Sequence, residues 1–293
     1  MASPSIPCPP RGIYVPAVAF FHPDETLDLD AIRAHLTRLA EGGVDGLVIQ
    51  GSNGEAMHML HDERQQEEAG EAWPKIKGFR YLLQDKPHGT MLEDKFIEGL
   101  KYLGKRGFSF EVGIDQHRRG RKQLEETVEM IGRAHEGVPD EDKVTFIINH
   151  LCKPDLTIYN VSSDPSFTAW RTAIFSLGKC SRTYMKLSGA FAEMTPALRA
   201  QKSPSHIFQS LLPWLGVVLA TFGPRRLMFA SDWPVCTVGL EQEKTKDGEE
   251  ENEEDEAWPK WREVVEKMCW MATLSDDDRA MIFGGTAKEA YRL

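Results

Sequence analysis

Short apolar runs, most of them ending near a charged or polar residue, alternate with amphipathic stretches along most of this chain. That alternation leaves few folds open. Residues 12–18 and 44–50 read as strands. Between them, Leu29, Ile32, Leu36 and Leu39 repeat at helical spacing, with Asp28 placed to cap and Gly42-Gly43 to stop the helix. Strand, helix, strand at this spacing is a βαβ unit. The rhythm continues with strands at 78–83, 108–114, 144–149, 184–187 and 227–230. Helices are expected at 94–106, 123–135, 167–177, 206–221, 258–270 and 276–291. Seven strands are then clear, and an eighth is expected between 190 and 225, with 215–219 its best candidate. The predicted fold class is α/β, a single (β/α)8 TIM-type barrel, imperfect or hybrid in construction. In such a barrel the chemistry sits at the C-terminal ends of the strands.

Several side chains fall at those ends. Leu227-Met228-Phe229 runs into Ala230-Ser231 and then Asp232, beside Trp233 and the breaker Pro234. A carboxylate held there away from bulk water suits a general base, with Trp233 as an apolar wall. His150 closes the strand 145–149, where an imidazole can polarise a carbonyl or hold a water. Lys186 lies on the next strand and can neutralise an oxyanion. Arg80 sits inside a strand pattern. Its charge cannot be titrated away, so it must face water, an anion or an ion pair with Glu111 or Asp115. Gln84 is placed to assist Arg80, and His117 follows Asp115-Gln116 as a further substrate-binding candidate. Arg118, Arg119 and Arg121 read as a solvated loop, and Cys152 and Cys236 as structural. After the second strand, Gly51-Ser52-Asn53-Gly54-Glu55-Ala56 makes either a tight βα turn or a cradle for a carboxylate or phosphate.

Composition narrows the partners. The chain has 293 residues and a formal net charge of -10, which argues against nucleic acid and anionic membrane and for a small-molecule substrate. Seven of the eight residues 249–256 are acidic, so 241–256 is expected to be a mobile loop, and Pro-rich 1–11 a disordered tail. Five dispersed cysteines without a CxxC pair suit a reducing compartment. Residues 1–7 have neither a basic n-region nor an apolar core, so a cytoplasmic location is expected. The longest apolar run, 211–222, is interrupted by Pro213 and Gly216 and is expected to fall short of a membrane span. Oligomeric state is not legible.

Two resemblances overlay this reading. Ile148-Asn149-His150-Leu151-Cys152-Lys153-Pro154, Met185-Lys186-Leu187-Ser188-Gly189, Phe222 to Pro234 and Ile282-Phe283-Gly284-Gly285-Thr286-Ala287 occur in order. Together they resemble the amidohydrolase superfamily, in its amidohydrolase-related, lactonase-like branch, over residues 75–293. Ile13-Tyr14-Val15-Pro16, Leu27-Asp28-Leu29-Asp30-Ala31, Gly43-Val44-Asp45-Gly46-Leu47 and the Gly51 to Ala56 turn resemble the dihydrodipicolinate synthase and N-acetylneuraminate lyase family over 12–66. The second resemblance implies that Ser52 and Asn53 grip the carboxylate of a 2-oxo acid. The first implies a hydrolase in which water attacks a lactone or similar carbonyl of a small carboxylated or sugar-acid substrate. Asp232 would be the base, His150 and Lys186 the oxyanion partners, and Arg80 the substrate anchor. The His-x-His pair usual at the first strand of amidohydrolases is absent from the sequence. No metal ligands and no cofactor are therefore expected. Zinc held through His58, His61 and His150 is the alternative. Two other readings remain: a Schiff-base aldolase using Lys186 and Tyr159, 27 residues apart, and an inactive fusion.

Overall fold

The computed structural model describes residues 14–16, 20, 22–23, 28–41, 46–48, 77–232, 235–237 and 253–293. The chain divides into two compact units, Met1–Lys77 with Leu293, and Gly78–Arg292.

In the first unit, β1 (Tyr14–Pro16) pairs in parallel with β2 (Gly46–Val48), Val15 opposite Leu47. The helix Leu29–Glu41 lies between them in sequence, with the bounds its apolar spacing implies. Asp28 caps it: Oδ1 accepts from the Ala31 N–H at 2.9 Å. This is the βαβ unit read from the sequence.

The second unit holds a five-stranded parallel sheet in sequential order. Its strands are β3 (Gly78–Tyr81), β4 (Ser109–Val112), β5 (Thr145–Ile148), β6 (Thr183–Leu187) and β7 (Leu227–Phe229). Side chains alternate between its faces. Phe110, Val112, Phe146, Ile148, Met185, Leu187 and Leu227 enter the main core, where Trp170, Trp214 and Trp261 are also buried. The register sets Arg80 opposite Glu111, Glu111 opposite Ile147, and Lys186 opposite Met228. Ile147 and Met228 form a second, smaller cluster with Ala290 and Tyr291 of the final helix, Thr286–Tyr291. Charge and apolar packing thus share one face.

Three expectations are corrected. The segment 190–225 contributes no strand: 215–219 lies inside the helix Pro204–Phe222. Ile207, Leu211, Trp214, Leu215, Val218 and Phe222 are its buried residues, a stripe at helical spacing that outweighs the β-branched pair Val217-Val218. At 19 residues this helix is long and apolar enough to cross a membrane by length and composition, although the sequence reading placed its apolar run below that length. Its buried stripe packs into the core of this unit. Arg118 and Arg119 lie in a short helical turn and Arg121 at the start of the helix proper, on either side of a break at Gly120 (φ 73°) within Gln116–His135, rather than in a loop. Of the expected acidic loop, residues 241–252 lie outside the described residues, and 253–256 open the helix Glu253–Met271. The tail 1–11 also lies outside them.

Candidate active site

The sheet delivers its polar side chains to the strand ends on a backbone unlike the rest of the unit. β5 runs out into His150, Leu151, Cys152 and Lys153, with φ of 53°, 56°, 64° and 45°. Four successive non-glycine residues in the left-handed region cost on the order of 1–3 kcal/mol each and persist only where surroundings over-determine them. The surroundings do so here. The buried Trp170 indole donates to the Leu151 carbonyl at 2.7 Å, and the His117 N–H to the Lys153 carbonyl at 2.9 Å. Within the turn, the Lys153 N–H donates to the His150 carbonyl at 2.7 Å. Asp232, beyond β7, is also left-handed, with φ 60°.

His150 and Asp232 meet: Nε2 lies 3.5 Å from Oδ1, and both side chains are 11% exposed. Burial pushes the Asp232 carboxyl up to about 6, although the charges of Lys153, Arg80 and Lys186 pull the other way. Burial, with those same three cations, holds the His150 imidazole well below its ordinary value, hence neutral. His150 Nδ1 is 2.8 Å from the Ser188 hydroxyl. A Ser188 O–H donating there places the ring proton on Nε2, facing Asp232.

Glu111 is the hub of the neighbouring cluster. Its Oε1 accepts from Lys186 Nζ at 2.7 Å and from the Tyr291 hydroxyl, and its Oε2 from Asn149 Nδ2 at 3.1 Å. Burial alone would raise this carboxyl, but Lys186, the Tyr291 hydroxyl and the Arg80 charge together hold it at about 2. The alternative of Arg80 paired with Glu111 or Asp115 is therefore not what forms: Lys186 takes Glu111, and Arg118 takes Asp115 at 2.8 Å. Arg80 lies against Gly113, where a Cβ would come within 3.1 Å of Nη2. Its Nε is buried with no hydrogen-bond partner, as is Asn149 Oδ1. Orphaned buried polar groups are rare in relaxed structure and common where a ligand completes them.

The remaining candidates divide. Gln84 Oε1 accepts from Lys153 Nζ at 3.0 Å, joining the cluster through Lys153. His117 is instead occupied, with Nδ1 2.8 Å from the buried Glu193 and Nε2 3.5 Å from Asp155. Tyr159 is fully exposed, and the ring beneath the Lys186 ammonium, at 5.6 Å, belongs to Tyr291. The Lys186–Tyr159 pairing of the aldolase alternative does not form. Cys152 and Cys236 are buried, and burial pushes their thiols up, that of Cys236 to about 11. Ser52, Asn53, His58, His61 and Trp233 lie outside the described residues. Sequence reasoning missed Glu111 as the hub, and missed Asn149, Ser188 and Tyr291. Asn149 and Ser188 lie within the quoted motifs, which was a usable signal; for Tyr291 there was none.

Zinc sites take three or four His, Cys or carboxylate ligands. Among the described residues no such group gathers. His150 and Asp232 make two, and they sit in the field of Arg80, Lys186 and Lys153, which opposes a divalent cation. The described residues do not fit a metal.

A buried acid and a neutral imidazole thus lie together at the ends of parallel strands, within the field of three cations. Residues 53–293 match the model of the amidohydrolase family, and the chain belongs to that family. Residues 9–70 match the dihydrodipicolinate synthetase family. The chain is 33% identical over 223 residues to an L-rhamnono-gamma-lactonase of Scheffersomyces stipitis, covering 74% of this chain and 59% of the relative. It is 28% identical over 223 residues to an L-fucono-1,5-lactonase of Burkholderia multivorans, covering 75% and 64%. The chain thus spans about three fifths of the length of these two lactonases. An amidohydrolase from Burkholderia multivorans, solved with bound zinc, superposes with a TM-score of 0.60 at 25% identity over 92% of this chain and 81% of that one. The fold is α/β with a parallel sheet, and its structural neighbours are amidohydrolases of the TIM-barrel type.

Proposed function

We propose that this chain is a metal-independent cytoplasmic hydrolase that opens a lactone, or a similar carbonyl, of a small sugar-acid or carboxylated substrate. One observation carries the reading: a carboxyl with its pKa near 6, Asp232, buried at a strand end beside a neutral His150. A base of that strength is ionised at neutral pH yet accepts a proton readily. Asp232 takes a proton from water as the water oxygen bonds to the carbonyl carbon. The developing oxyanion is met by the Lys186 ammonium and the His150 Nε2–H, donors fixed before the reaction starts. As the tetrahedral intermediate collapses, the ring C–O bond breaks and Asp232 returns its proton to the leaving oxygen. Arg80, with its orphaned Nε, is free to anchor a carboxylate or hydroxyl of the substrate. The chain's likeness to two sugar lactonases supports this substrate class.

The test is a panel of sugar γ- and δ-lactones assayed for acid release, each with chelator and with added zinc. Turnover unchanged by chelator is expected. Strict zinc dependence would return His58, His61 and His150 to consideration as ligands. An absence of turnover on every lactone would reject the substrate class.

A further inference from the structure

We propose that Glu111 and Tyr291 are positioning residues that fix the Lys186 ammonium at the strand ends, a role that rests on the hydrolytic reading above. Glu111 gathers donors from three separate elements. Lys186 comes from β6, Asn149 from the end of β5, and Tyr291 from the final helix, 180 residues away in sequence. Tyr291 acts twice: its hydroxyl donates to the carboxylate oxygen that Lys186 uses, and its ring lies under the ammonium. Lys186 Nζ is thereby held between an anion and a π-face.

A lysine ammonium on a flexible four-carbon stem is a poor oxyanion donor unless something holds it. Here the need is greater, because Arg80 and Lys153 act with Lys186 on the same His150 and Asp232, and like charges in one site repel. Glu111 supplies the opposing charge. It stays ionised across any working pH, and burial together with Glu111 keeps the Tyr291 hydroxyl protonated as a donor. Stability alone does not account for the arrangement. A buried ion pair commonly contributes little net free energy compared with apolar residues of the same volume. Asn149 extends the role, since it ties the same carboxylate to the residue that precedes His150.

The experiment is a double-mutant cycle over Glu111→Gln and Lys186→Met. Glu111→Gln alone should lower kcat about tenfold or more, as expected for a displaced oxyanion donor, with KM little changed. In the Lys186→Met background it should lower kcat no further, because Glu111 acts through Lys186. The double variant leaves no unpaired ammonium and folds. Tyr291→Phe keeps the ring and loses the donor, and should lower kcat in the same direction by less. A substrate-free readout separates this proposal from the hydrolytic reading. Acetylation of Lys186 by an N-hydroxysuccinimide ester, followed by mass spectrometry, should run several-fold faster in Glu111→Gln than in the wild type. If no lactone is turned over, the hydrolytic reading fails and acetylation still decides the positioning. Equal acetylation rates, or kcat losses that simply add in the cycle, would overturn it.

Discussion

The two ends of the five-stranded sheet are built to different rules. At the ends where strands begin, polar groups are matched. Arg226 donates to the carbonyls of Cys180, Gly178 and Thr221 at 2.9, 3.0 and 3.3 Å. Thr183 donates to the carbonyls of Leu177 and Cys180, and His135 Nε2 sits 2.8 Å from that of Val144. Where the chain turns sharply into β7, the left-handed position is a glycine, Gly223, with φ 64°. At the ends where strands finish, five non-glycine residues, His150 to Lys153 and Asp232, join Gly189 in the left-handed region, and Arg80 Nε and Asn149 Oδ1 are left without partners. An acid there is pushed up to about 6. One end holds the fold; the other carries the strain and unmet polar capacity of a site.

Substitutions at the two ends should therefore separate stability from turnover. The largest stability effect is expected at the strand starts. Arg226→Ala strips three carbonyls of their donor and should cost about 3 kcal/mol in denaturant unfolding, with turnover per folded molecule unchanged. Loss of activity without loss of stability would contradict the division. Next comes Gly189→Ala. Gly189 follows Ser188 at φ 71°, and a Cβ there would come within 2.6 Å of the His150 Cβ. Displacing His150 should lower kcat, and the overlap with the backbone strain should cost about 2 kcal/mol. Wild-type kcat in that variant would remove His150 from the chemistry. The smallest effect is Arg80→Lys, which keeps the charge but loses the planar fork. KM for an anchored substrate should rise about tenfold, or about 1.4 kcal/mol, with stability nearly unchanged. An unchanged KM would leave Arg80 as filler for the space over Gly113.

What was legible in the sequence follows the same contrast. β3 to β7 could be read because apolar runs bounded by breakers say strand whatever the tertiary context. Asp232, His150, Lys186 and Arg80 stood out because charge at the end of such a run demands a reason. The left-handed turn at His150–Lys153 left no clear trace, because it contains no Gly, Asn or Asp, and a single His is too weak a signal for four successive left-handed residues. Trp170 and His117, distant in sequence, hold it. Glu111 read only as a partner for Arg80, since strand spacing cannot rank cations on neighbouring strands. Tyr291 was invisible for the same reason, at a separation of 180 residues. The helix expected at 206–221 forms as Pro204–Phe222; only the eighth strand sought at 215–219 fails, because the period of the buried stripe decides for the helix.

If the carboxyl at the end of β7 is held for chemistry at the expense of stability, Asp232→Asn must lower activity and raise stability together, with both followed across pH. Because its folded pKa is raised to about 6, Asp232 favours the fold fully only below its unfolded value, near 4, and that contribution is lost as pH rises through about 6. Asp232→Asn should therefore be more stable than the wild type above pH 6, on the order of 2–3 kcal/mol, the gain shrinking to nothing toward pH 4. Over the same range wild-type kcat/KM should rise through about pH 6 and level off, while Asp232→Asn stays flat at about a hundredfold or more below that plateau, so the difference shrinks as pH falls below 6. Wild-type turnover in Asp232→Asn, or a stability difference that ignores pH, would contradict the account.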